Sequence, residues 1–107
     1  MAAAQKTRRE VLEEFVAANP NDAFTRYALA MECAKTGDSE AAISHFRQLL
    51  ATYPNYVVAY FQLGQLLARL ARTQEAKDVL SAGIAVAQKR GEQHARDGME
   101  AFLRDLG

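Results

Sequence analysis

Displacing the sequence against itself by 34 residues brings Leu29 onto Leu63, Ala30 onto Gly64, Ala42 onto Ala76, Phe46 onto Leu80 and Leu50 onto Ile84. Lys35 meets Arg69 under the same shift. The opposite shift sets Leu12 under Phe46, Val16 under Leu50 and Pro20 under Pro54. A chain with such a period is built of similar supersecondary units, each covering part of its neighbour's apolar face. On this register the first segment reads as the second half of an earlier unit, and the last as the first half of a later one.

The unit is helical. Good helix formers dominate, with only two prolines and six glycines. Apolar residues recur at steps of three and four, as in Val11, Leu12, Phe15 and Val16, in Ile43, Phe46, Leu49 and Leu50, and in Val79, Leu80, Gly83 and Ile84. No run of five residues alternates as a half-buried strand would. Two kinds of stop signal take turns. Pro20 cannot continue a helix, and Asn21 or Asp22 can cap the next; Tyr53-Pro54-Asn55 repeats this device. Gly37 can close a helix in the left-handed conformation before Asp38 or Ser39 caps the next. Ala71-Arg72-Thr73 repeats that device weakly, with Thr73 as the expected cap, and Lys89-Arg90-Gly91 ends a helix with cations in its last turn.

These signals predict an all-α fold of six helices over 4–18, 22–36, 39–52, 56–71, 74–89 and 92–106. The expected organisation is one domain over 1–107: an N-terminal half-repeat helix at 4–18, repeats at 21–54 and 55–89, and a capping helix at 92–106. Antiparallel helices that approach to about 8–10 Å need small side chains where they touch. Ala30 and Gly64 supply them on the first helix of each pair, Ala42 and Ala76 on the second.

These residues resemble the tetratricopeptide repeat, a 34-residue helix-turn-helix whose pattern runs aromatic, Leu-Gly, Tyr, Ala, Phe, Pro. The second unit offers Tyr60, Leu63, Gly64, Leu67, Ala76 and Leu80; the first offers Arg26, Leu29, Ala30, Cys33, Ala42, Phe46 and Pro54. Departures are Arg26 at the aromatic place, Cys33 and Leu67 at the tyrosine, and Gln88 at the proline. Two full units cover roughly residues 21–89. The resemblance implies a short right-handed superhelix whose concave face, lined by the first helix of each pair, binds extended peptides or helices of other proteins.

On that face the expected partner-binding residues are Phe24, Tyr27, Met31 and Lys35 in the first unit, and Val58, Phe61, Gln62, Gln65 and Arg69 in the second. Aromatic and Met side chains make good anchors because they offer large area with little flexibility. Lys35 and Arg69 suit acidic partner residues. The alternative is that neighbouring helices, including 92–106, bury Phe24, Tyr27, Val58 and Phe61, which requires low exposure of Tyr27 and Phe61. Some family members clamp a chaperone's C-terminal carboxylate with Lys, Asn and Arg. The matching places here hold Tyr27, Met31 and Gln62, with Arg96 a candidate for the arginine. The implied ligand is therefore a hydrophobic or amphipathic peptide or helix.

The remaining features argue against other functions. Lysine plus arginine equals aspartate plus glutamate, at 13 each. Nucleic-acid and anionic-membrane binders depend on excess positive charge, so neither partner is expected despite the short runs at Lys6, Arg8 and Arg9 and at Lys89 and Arg90. The single Cys33 excludes an intrachain disulfide and reads as a small core residue. His45 and Ser44 are adjacent on a helix and diverge, which is poor catalytic geometry. His94 lacks metal-site spacing, and no glycine-rich phosphate loop occurs. We expect no enzyme activity, no cofactor and no metal. No secretory signal or membrane-length apolar run is present, so a cytoplasmic location is expected. Ala95, Met99, Phe102, Leu103 and Leu106 give the last helix an apolar stripe that either caps the second pair or forms a homodimer. The initial Met and this last helix favour a whole protein.

Overall fold

The computed structural model describes residues 5–107. These form six helices: α1 (Arg8–Ala18), α2 (Ala23–Lys35), α3 (Ser39–Thr52), α4 (Val57–Arg69), α5 (Thr73–Lys89) and α6 (Gln93–Asp105). Among the described residues there is no strand. They fall into two compact units, the first ending at Leu49 and the second spanning Leu50–Gly107.

The helix ends explain most of the boundaries. Thr7 caps α1 through a capping box: its hydroxyl accepts from the Glu10 N–H, and the Glu10 carboxylate accepts from the Thr7 N–H, both at 3.1 Å. The helix therefore starts at Arg8, not at position 4, which itself lies outside the described residues. The Thr-x-x-Glu signal was readable in the sequence and decides this end. Asp22, rather than Asn21, caps α2 by accepting from the Phe24 N–H at 3.1 Å. Asp38, rather than Ser39, caps α3 by accepting from the Ala41 N–H at 3.2 Å.

Helices α2, α4 and α5 all end in the same hydrogen-bonded turn. The N–H groups of Asp38, Arg72 and Glu92 donate to the carbonyls of Cys33, Leu67 and Ala87, each at 2.9 Å. The turn demands a left-handed residue, which Gly37 and Gly91 supply at φ 90° and 73°. The third turn uses Ala71 at φ 60°. This is the turn where the sequence signal was weak, and it ends α4 at Arg69 rather than at 71. Thr73 is not the cap of α5: it is already helical, and the cap position belongs to Arg72, whose guanidinium instead grips Glu75 at 2.6 and 2.9 Å.

Packing within the second unit is set by missing side chains. A Cβ on Gly64 would stand 2.6 Å from Leu80 Cδ2, and one on Gly83 would stand 2.5 Å from Tyr60 Cβ and 2.7 Å from Met99 Sδ. Those pairs (60 with 83, 64 with 80) also show that α4 and α5 run antiparallel. Val57, Tyr60, Leu80, Ala87 and Met99 form the buried cluster, and Phe61, Ala95, Phe102, Leu103 and Leu106 pack against it. The apolar stripe of α6 thus covers α4 and α5, with Met99 buried in the cluster. In the first unit Leu29, Ala30, Cys33, Ala42 and Phe46 are all buried. Ion pairs tie α1 to its neighbours: Arg9 to Asp38 at 2.8 Å and Arg8 to Glu32 at 3.3 Å. Arg9 beside it, with the Ala41 N–H, holds the Asp38 carboxyl below the usual aspartate range.

A left-handed alanine costs about 1–2 kcal/mol relative to its right-handed form, a penalty glycine lacks. Ala71→Gly is therefore expected to stabilise the protein by about 0.5–1 kcal/mol, after the greater freedom of an unfolded glycine is subtracted. Urea unfolding of the variant checks this.

Candidate protein-binding site

The predicted site residues lie on α2 and α4. In the first unit Phe24, Tyr27, Met31 and Lys35 come together around a hollow of about 660 Å³, completed by Arg8, Ala28 and Glu32. Their spacing of three and four residues places them on one face of α2, turned away from the face that buries Leu29, Ala30 and Cys33. Phe24 is 70% exposed at the mouth of this hollow. In the second unit Val58 and Phe61 line a hollow of about 580 Å³ with Val57, Glu92, His94, Ala95, Asp97, Gly98 and Met99. Val58 is 46% exposed. Gln62, Gln65 and Arg69 lie on α4 but do not line this hollow; Gln62 and Gln65 are half-buried and Arg69 is exposed.

Neither of the two sequence readings of Tyr27 and Phe61 describes them fully, because both rings are half-buried. Tyr27 meets the Phe46 ring edge-on, with centroids 6.1 Å apart and planes at 66°. Phe61 meets Phe102 in the same way at 6.0 Å and 68°, and its ring closes over Gly98. Each aromatic is therefore braced by a partner in its own unit while part of its surface stays open. The contribution of α6 to the second hollow was not foreseen. Its signal is the small pair Ala95 and Gly98, which leaves room above Val57 and Phe61.

The charges around the first hollow are uneven. Glu32, largely buried, is held by Arg8, while Lys35 is exposed at the end of α2. Arg69 occupies the equivalent last turn of α4. Both cations sit where the negative end of the helix dipole favours them.

Behind this face, Arg26 fills the place where the family pattern has an aromatic. Its Nη1 donates to His45 Nδ1 at 3.1 Å and to Gln48 Oε1 at 3.0 Å, joining α2 to α3. A guanidinium has only donors, so His45 Nδ1 must accept and the ring must be neutral. Burial pushes the His45 pKa down, and the neighbouring Arg26 and Arg9 push it further. The equivalent Tyr60 instead packs against Gly83 and donates its hydroxyl to the Pro54 carbonyl at 2.7 Å. Ser44 accepts from Gln48 rather than from His45. Cys33 is fully buried, and burial pushes its thiol pKa up. Among the described residues no three His, Cys, Asp or Glu side chains assemble as a metal site. No helix among them is long and apolar enough to cross a membrane.

Paired helices closed by one recurrent turn, with an apolar hollow on the first helix of a pair, define a helical-hairpin repeat protein. Comparison with known sequences makes the class specific: the family profile described as tetratricopeptide repeat matches residues 33–96, and the chain belongs to that family. A search of the curated proteins gave no match. Among solved structures, a tetratricopeptide repeat domain protein from Salinibacter ruber is 39% identical, with a TM-score of 0.78 over 82% of this chain and 89% of that one. A Bordetella parapertussis protein is 30% identical, with a TM-score of 0.82 over 95% of this chain and 89% of that one. The TPR2B domain of yeast Sti1, in a complex with pHsp70, shares the fold at a TM-score of 0.84 and 17% identity, over 92% of this chain and 78% of that one.

The Arg26–His45 contact gives a pH signature. A histidine whose folded pKa lies below its unfolded value leaves the unfolded state binding more protons between the two. Stability should be level above pH 7, fall as the pH drops through the ordinary histidine value toward the lowered one, and level off below it. Urea midpoints at pH 7.5 and 5 check this, and His45→Gln should flatten the difference.

Proposed function

We propose that this chain is a non-enzymatic protein-interaction module that binds a peptide or an amphipathic helix of another protein on the exposed faces of α2 and α4. Members of the family generally act as scaffolds for such contacts. The observation that carries the reading is Phe24. A large aromatic that is 70% exposed beside Tyr27, Met31 and Lys35 is costly to leave in water, and it is placed as an anchor for an apolar partner side chain. Val58 and Phe61 play the same part in the second unit, with Gln62 and Gln65 available for partner backbone groups. Lys35 and Arg69 favour acidic residues next to the apolar ones. The faces are apolar where the carboxylate-clamp members are polar, so the favoured ligand is an amphipathic segment and not a bare C-terminal carboxylate. A cytoplasmic adaptor role accords with this chemistry.

Peptide display against the immobilised protein tests the proposal. Enriched peptides should combine bulky apolar with acidic residues. Because truncating an aromatic anchor costs about 2 kcal/mol or more, Phe24→Ala should weaken them about thirtyfold with the fold intact. Peptides that bind wild type and the Phe24→Ala/Phe61→Glu variant equally would place recognition elsewhere.

A further inference from the structure

We propose that the hollow on α2 takes an amphipathic helix of a partner protein with acidic residues in its first turn, lying antiparallel to α2. This rests on the reading above and deepens it. Two of the three charges that line the hollow already answer each other: Arg8 and Glu32 pair at 3.3 Å. Lys35 is the lining charge left without an ion pair or hydrogen bond among the described residues. Elsewhere on α2, Thr25 donates to Asp22 at 2.8 Å, and Arg26 is engaged with His45 and Gln48. Charge complementarity at this face therefore falls to Lys35, and it asks the partner for a carboxylate at that end of the apolar stripe.

The same face selects a helix over an extended segment. An extended ligand would bring its backbone N–H and C=O groups to a surface with little to bond them. Helix α2 contains no Asn or Gln, and its mid-helix backbone groups bond to each other. Where α4 has Gln62 and Gln65, the 34-residue register puts Ala28 and Met31 on α2. A helix satisfies its own backbone and presents only side chains, so it can cover this stripe without leaving buried polar groups unpaired. The direction follows from the dipole. Phe24 and Lys35 stand at opposite ends of α2, about 16 Å apart along its axis. Acidic residues stabilise the first turn of a helix and destabilise the last. A ligand helix with its carboxylates beside Lys35 therefore has its first turn there, and its apolar residues, at steps of three and four, then run along Met31, Tyr27 and Phe24. That direction is antiparallel to α2, and it sets the positive end of one helix beside the negative end of the other. A single helix of about three turns covers less than a standard interface, so the binding is weak.

Two synthetic peptides of identical composition test this. Both are built on Ala and Gln with Leu at steps of three and four and blocked ends; one carries a pair of Glu in its first turn, the other in its last. In NMR titrations of isotope-labelled protein, the acid-first peptide should bind the α2 face about fivefold more tightly than the acid-last one. Lys35→Gln should weaken it about threefold and Lys35→Glu about tenfold, each with an unchanged circular dichroism spectrum. A spin label on the N-terminus of the peptide should broaden the amides of Lys35 and Thr36, and one on its C-terminus those of Phe24 and Thr25. Broadening in the opposite order, an acid-last peptide that binds as tightly, or an affinity indifferent to both Lys35 variants would overturn the proposal. Those results would leave the α2 and α4 reading standing, because the peptide would still be seated on α2. If neither peptide binds while display-selected peptides still lose affinity for Phe24→Ala, the helical ligand is wrong and the broader reading survives. If display selection also yields no binder, both fall.

Discussion

The close approach of α4 and α5 rests on two absent side chains. Gly64 lets Leu80 settle onto the α4 backbone, and Gly83 admits both Tyr60 and Met99. Protein interiors tolerate little extra volume, so even one added methyl group at either place would have to push a buried side chain aside. The gain is that one face of α4 is fully consumed by the hairpin. Leu63 and Leu67 are buried with it, and Phe61 and Val58 are left to a different side. In the first unit Ala30 is buried at the place equivalent to Gly64, and Ala42 at the place equivalent to Ala76, and Phe24, Tyr27 and Met31 are correspondingly left over.

The proposed function rests on that division of each helix into a consumed and a spare face. The spare face of α2 is apolar at its centre and cationic at its end, a pattern that makes little sense for a solvated surface. Edge contacts from Phe46 and Phe102 hold the two central rings without covering them. A pre-set ring loses little entropy on binding, which is the usual advantage of aromatic anchors.

Much of this was legible in the sequence, for a physical reason. A 34-residue period with small residues in register constrains packing so tightly that Leu29, Ala30, Ala42, Leu63, Gly64 and Ala76 could be assigned to the helix contacts before any coordinates. Helical spacing alone places Phe24, Tyr27, Met31 and Lys35 on one face of α2, where they line one hollow. What escaped the sequence depends on side-chain choices that spacing does not fix. The Arg26 guanidinium takes an aromatic's place by bonding to His45 and Gln48, residues nineteen and twenty-two positions away. Ala71 adopts a glycine's conformation because the hydrogen bonds on either side of it overrule its own preference. The share of α6 in the second hollow depends on how Gly98 meets Phe61, a tertiary contact that the small pair Ala95 and Gly98 permits but does not by itself specify.

The most direct test of the account is an NMR titration of isotope-labelled protein with a display-selected peptide, following every backbone amide. The account predicts the largest shifts along α2 at Phe24, Tyr27, Met31 and Lys35 and along α4 at Val58 and Phe61, with the exposed side of α5 at Ser81, Ala82 and Ala85 unmoved. Shifts confined to α5, or spread over α1 while α2 and α4 stay silent, would contradict it.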